Sequence, residues 1–114
     1  MTTLLTTKAP ERGTYAVTTT FKDEAGVLVT PNAPLTWTLT DMLATVINSR
    51  SAIGISPASS VTVVLTDLDL AIADTYLGLE RVLTFQGTYN SSLGSNRPLK
   101  AECRFYIDPL VAVS

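Results

Sequence analysis

The 114-residue chain contains no histidine and a single cysteine, Cys103. Without histidine, the commonest general base and the commonest zinc ligand are both missing. A Ser-His-Asp or Cys-His site is therefore excluded. One cysteine allows no disulfide within the chain, which is unlike a disulfide-stapled secreted module. Charge is sparse too. Asp, Glu, Lys and Arg make up 16% of residues, whereas soluble domains average about 25%. The net charge is -2, and no stretch is basic enough to suggest a nucleic-acid face. No apolar run approaches the roughly 20 residues needed to cross a bilayer. The segment from Met1 to Leu5 lacks the basic start and apolar centre of a secretory signal. These absences lead us to expect no nucleic-acid partner, no membrane, and synthesis in a cytosol.

What the chain has is alternation. Leu35-Thr36-Trp37-Thr38-Leu39-Thr40 switches between large apolar residues and threonine for six positions. Strand side chains point to opposite faces at each step, so Leu35, Trp37 and Leu39 share one face and the threonines the other. A strand with one buried face belongs to an antiparallel sheet rather than a parallel one. Threonine and serine also stand where Lys and Glu are usual, as in Thr18-Thr19-Thr20 and Ser59-Ser60. Threonine suits a pleated surface. The same residues also suit a surface that meets other protein, because interface cores are depleted of charge.

The turn signals divide the chain into an arm at 1–13, one all-β domain at 14–108, and an apolar tail at 109–114. Seven strands are predicted, at 14–21, 27–29, 35–40, 45–47, 61–66, 79–89 and 99–108. Gly26 is placed for a positive φ in a turn, and Gly87 for a bulge or close backbone approach. Pro31 and Pro34 are expected to end the second strand. Residues 52–60 and 90–96 read as loops. Residues 66–78 read as a crossover with at most one helical turn near 71–76. Seven short strands of this spacing match an antiparallel β-sandwich. In Ig-like sandwiches a tryptophan on the third strand commonly anchors the core, and Trp37 stands on the third predicted strand. Cys103 lies among apolar neighbours on the last strand and is expected to be a buried, inert thiol.

Little in the sequence carries chemistry. No phosphate-binding loop or dinucleotide fingerprint occurs. Carboxylates alone can run an enzyme, but here they sit mostly beside predicted turns, and no pair falls across a cleft. The expectation is a non-enzymatic protein with no cofactor. Asp67, Asp69 and Asp74 are the one acidic cluster. Oxygen ligands of this kind hold calcium, but Ala71 breaks the EF-hand spacing, and a solvated crossover is the plainer reading. Asn90-Ser91-Ser92 matches a glycosylation acceptor, here a chance match without a secretory signal. The tails carry Leu4, Leu5, Leu110, Val111 and Val113. If ordered, such segments need a surface, and a neighbour's sheet edge offers main-chain hydrogen bonds.

Several strand-and-turn runs resemble a known family. They are Phe21-Lys22-Asp23-Glu24-Ala25-Gly26, Pro31, Trp37-Thr38-Leu39-Thr40-Asp41 and Val46-Ile47-Asn48-Ser49. Arg81-Val82-Leu83, the stretch from Gly87 to Ser91, and Leu93-Gly94 fit the same pattern. Together they resemble small Ig-like virion proteins of tailed bacteriophages, over roughly residues 15–108. The pattern departs at Met42-Leu43-Ala44, where a turn glycine is expected after Asp41. The resemblance implies an Ig-like sandwich with a structural role in capsid decoration, neck or tail. It implies protein partners in the virion and many copies held by symmetry. Leu4, Leu5, Leu110 and Val111 are the contact residues expected of the tails. The alternative is an Ig-like recognition module binding a carbohydrate or host receptor through its loops, with Trp37, Tyr76 and Tyr89 as the aromatics to check. A third reading is a domain cut from a larger adhesin.

Overall fold

The computed structural model describes residues 2–72 and 79–109. Its strands are β1 (Thr2–Leu4), β2 (Ala9–Pro10), β3 (Thr14–Thr20), β4 (Asn32–Asp41), β5 (Ile53–Ile55), β6 (Ser60–Thr66), β7 (Glu80–Ser91) and β8 (Gly94–Asp108). The larger sheet has the order β1-β8-β7-β4-β5, with β2 also on β8, and β3 pairs with β6 in a second sheet. The alternation on β4 sorts as its pleat requires. Leu35, Trp37 and Leu39 are 1%, 8% and 0% exposed, while Thr36, Thr38 and Thr40 are half-buried. β4 pairs antiparallel with both β5 and β7. The molecule is β-rich as expected, but the large sheet is mixed, because β1 and β2 run parallel to β8. The arm therefore belongs to the sheet instead of standing apart from it.

One core lies between the sheets. Tyr15, Val17 and Phe21 from the β3 side and Val61, Val63 and Leu65 from β6 meet Leu35, Trp37, Leu39, Leu83, Phe85, Phe105 and Ile107. Phe21 and Phe85 pack edge to face at 5.7 Å, and Tyr15 tilts on Phe105 at 5.0 Å. Such aromatic pairs contribute beyond their buried area. Gly87 is where the backbones come close: a side chain there would meet Leu35 Cδ1 at 3.2 Å. Gly26 has φ +80 and closes the turn to Asp23, as its position suggested.

Five expectations need correction. Val27–Val29 is not a strand: Leu28 makes only an isolated bridge to Lys22, and Val27 and Leu28 are 60% and 58% exposed. Residues 45–47 likewise reduce to one bridge, Thr40 to Val46. Ile53–Ile55, expected as loop, is β5, because Ile53 and Ile55 pack on the core. Residues 90–96 are mostly strand, since β7 and β8 form one long hairpin that pairs Ser91 with Gly94. Asn32, Ala33 and Pro34 begin β4 rather than ending an earlier strand. A 3₁₀ turn stands at Asp67–Leu70, and the helical turn expected near 71–76 falls largely on residues 73–78, which lie outside the described residues.

The turn after Asp41 forms without a glycine. The Asp41 Oδ1 accepts the amides of Leu43 at 2.8 Å and Thr45 at 3.0 Å, a side-chain substitute for a backbone turn. Ala44 then takes φ 65, a left-handed conformation that crowds its Cβ. Ala44→Gly is expected to raise stability by about 0.5–1 kcal/mol, the relieved strain less the added chain entropy. Trp37→Ala is expected to lower it by about 3–5 kcal/mol. Urea unfolding of the two variants beside the parent measures both.

Candidate functional site

Three regions merit a functional reading: the arm, the acidic crossover and the hairpin end. The arm comes first. β1 lies on β8 with Thr2 opposite Glu102, Thr3 opposite Cys103 and Leu4 opposite Arg104. The Leu5 amide continues this by donating to Arg104 O at 2.8 Å. Leu5 packs partly against the core, whereas Leu4 is 57% exposed. Leu110 and Val111 fall outside the described residues. A groove of about 260 Å³ runs beside the arm, lined by Leu5, Thr18, Thr19, Lys22, Ala101 and Cys103 among others. Cys103 is a buried free thiol, as expected, with Sγ 3.2 Å from Thr19 Oγ1. The Tyr15 hydroxyl donates to Thr7 O at 2.7 Å. Its pKa is raised, first by burial and then by Cys103.

The acidic crossover does not gather its carboxylates. Asp67 binds Arg12, with Oδ1 2.9 Å from Nε. Asp69 is 1% exposed and faces elsewhere. It accepts from Asn48 Nδ2 at 2.9 Å, Arg50 Nε at 2.8 Å and the Thr66 amide at 3.1 Å. Asp74 lies outside the described residues. Among the described residues, no group of three His, Cys, Asp or Glu is arranged to hold a metal. What the acids do is join chain segments: Asp69 ties the 3₁₀ turn to the loop after β4, and Asp67 ties it to the turn before β3. Burial pushes the Asp69 carboxyl up. The hydrogen bonds from Arg50, Asn48 and Thr66, with the Arg50 charge, outweigh that and hold it below the usual aspartate range.

Sequence reasoning missed these partners because they are distant in the chain. It also missed Arg81, which is 4% exposed and stands opposite Asp41 in the β4–β7 register. Burial lowers the Arg81 pKa, and the Asp41 charge offsets part of that. Asp41 thus shapes a turn and faces a buried cation at once.

At the hairpin end, Glu24 Oε1 accepts from Tyr89 OH and Ser91 Oγ, both at 2.9 Å. Asn32 Nδ2 reaches Asn90 Oδ1 at 3.1 Å, and Asn90 Oδ1 also accepts the Asn96 amide at 3.0 Å. These bonds fix the β3–β4 turn against the hairpin. They also engage Tyr89, which the loop-binding alternative had put forward. Trp37 is in the core and Tyr76 lies outside the described residues. The hairpin end offers no exposed aromatic ring among the described residues; Tyr106, on β8, is the one that is exposed.

The outer face of the small sheet carries no charge, and that of the large sheet gathers most of its charge on β8. On the small sheet, Thr14, Ala16, Thr18 and Thr20 stand beside Ser60, Thr62, Val64 and Thr66. The Thr18 and Thr62 hydroxyls are 3.0 Å apart, and Val64 is 57% exposed. On the large sheet, Thr36, Thr38 and Thr40 face Gln86, Thr84 and Val82 across β7. Lys100 and the Arg104–Glu102 pair, 2.8 Å apart, supply the charge on β8 there. No known protein family, curated protein or solved structure matches this chain.

The lowered Asp69 pKa has a signed consequence. A carboxyl whose pKa is depressed on folding stabilises the protein fully above its unfolded value, about 3.8. That stability is lost as pH falls through the folded value. Asp69→Asn is expected to flatten the acid limb of urea-midpoint against pH below about pH 4. Asp69→Ala is expected to cost about 1–3 kcal/mol near neutrality, because three donors lose their acceptor.

Proposed function

We propose that this chain is a non-enzymatic structural protein of a tailed-phage virion. Its body is an Ig-like sandwich, and it binds neighbouring capsid, neck or tail subunits through the sandwich surface and the tails. The observation that carries the reading is the arm laid as a strand on the β8 edge, with Leu4 exposed beside it. An extended segment on an open edge is a common way for one subunit to grip another. The Ig-like part of the reading is supported by the strand order. A two-stranded sheet shares a core with a larger sheet, whose first strand runs parallel to its last, and Trp37 of β4 sits in that core. The partner part is supported by the eight outward residues of β3 and β6, none of them charged. The partners are protein subunits, in many copies held by the symmetry of the particle; nucleic acid and membrane are not among them. The location is the virion, after synthesis in the host cytoplasm.

Particles assembled with and without the gene for this chain test the reading. Cryo imaging is expected to show one class of density lost in its absence, and mass spectrometry to find the chain in purified wild-type particles. Particles free of the protein would overturn the reading. A variant lacking residues 2–7 is expected to fold yet to be incorporated at least about tenfold less, the effect of losing roughly 1.4 kcal/mol or more of contact energy.

A further inference from the structure

The arm is weakly committed to its own molecule. β1 makes three residue pairs with β8 and β2 makes two. Between them the arm advances five positions, from Leu4 to Ala9, while β8 advances three, from Arg104 to Ile107, so Thr6, Thr7 and Lys8 leave the register. That irregular segment separates β1 from β2. Its side-chain tether is the hydrogen bond from Tyr15 OH to Thr7 O.

The flank beside the arm holds a second open edge. The Phe21 amide bonds Ser59 O and the Asp67 amide bonds Gly13 O, continuing the β3–β6 ladder at odd-numbered positions of β3. The main-chain groups of Thr14, Ala16, Thr18 and Thr20 therefore point away from β6. This edge carries none of the usual protections: no charge, no proline and no bulge. The 260 Å³ groove separates it from Ala101 and Cys103 of β8. In its own molecule the arm returns to β3 through the tight turn Pro10–Gly13, closed by the Gly13 amide on Pro10 O at 3.0 Å. That turn sets the distance between arm and β3.

We propose that the N-terminal arm is exchanged between two copies of this chain. The arm of one copy lies on β8 of the other in the register seen within one chain, beside the groove and the open β3 edge. The occupant is a second copy because the β8 edge already fits this arm, Thr3 opposite Cys103, and a swapped segment keeps every contact it had. The proposal rests on reading the chain as an assembly subunit that grips neighbours by its tails, and it names the neighbour.

The register gives a direct test. One protein carries Thr3→Cys and Cys103→Ser; the other is the parent chain. The two are mixed at high concentration and oxidised with copper phenanthroline. Exchange is expected to yield a disulfide-linked pair, reversed by thiol, because only an arm lying on another copy's β8 brings the two sulfurs together. As a control, Thr3→Cys alone reports the bond within one chain. A bond in the control with none in the mixture overturns the proposal. If the control forms no bond, sedimentation decides. The parent is then expected to dimerise with concentration, Tyr15→Phe to raise the dimer fraction several-fold, and a variant lacking residues 2–7 to stay monomeric. Identical monomers in all three overturn the proposal. Its failure leaves the virion reading standing, since that is decided by the composition of particles.

Discussion

Everything in this structure depends on burying one apolar layer between two unequal sheets. A two-stranded sheet is at best marginal in water, and β3 and β6 form such a sheet. They persist because Tyr15, Val17, Val63 and Leu65 lie on Leu39, Leu83, Phe85 and Phe105. At about 25 cal/mol per Å² of apolar area, that burial far exceeds what seven cross-strand pairs supply. The large sheet needs the layer as well, since the inward face of β4, β7 and β8 is a field of leucine and phenylalanine. The opposite faces are then free to be polar, and this chain makes them threonine.

The sequence made this layer legible because its strands alternate cleanly. β3, β4, β6 and β8 were all readable from period-two patterns, and the tryptophan face of β4 was assigned correctly. The failures were short runs. Val27-Leu28-Val29 has strand propensity but pairs through a single bridge to Lys22, and propensity alone does not hold a strand. Ile53-Gly54-Ile55 has a glycine that suggests loop, yet two isoleucines two apart suffice when an edge of β4 stands open. The polar tip of the hairpin read as loop because it extends past the core. There side-chain bonds among Asn32, Asn90 and Asn96 replace burial.

The arm was only half legible. Leu4 and Leu5 were visible as apolar residues in need of a surface, but nothing local specifies a parallel register on a strand a hundred residues away. The acidic crossover shows the same limit from the other side. Asp67 and Asp69 are two residues apart and look like one cluster. One left-handed residue, Asp67 at φ 48, and a 3₁₀ turn send them to different arginines. Spacing suggested shared ligands, and backbone conformation separated them.

Charge placement connects these points. In a chain with so few ionisable groups, the acids nearest the core are spent on connections. Asp69 holds two loops, Asp41 builds a turn, and Asp67 braces the start of β3. None is left for the outer sheet faces on the β3–β6 side or for the β3 edge. Charged side chains on edges and faces are the usual means by which β proteins stay apart from one another. This protein lacks them along the seven-residue β3 edge, which stays open, and covers the β8 edge with its own arm. The charge economy that first appeared as a compositional oddity thus has its structural counterpart in the uncharged outer face of β3 and β6 and the uncharged β3 edge.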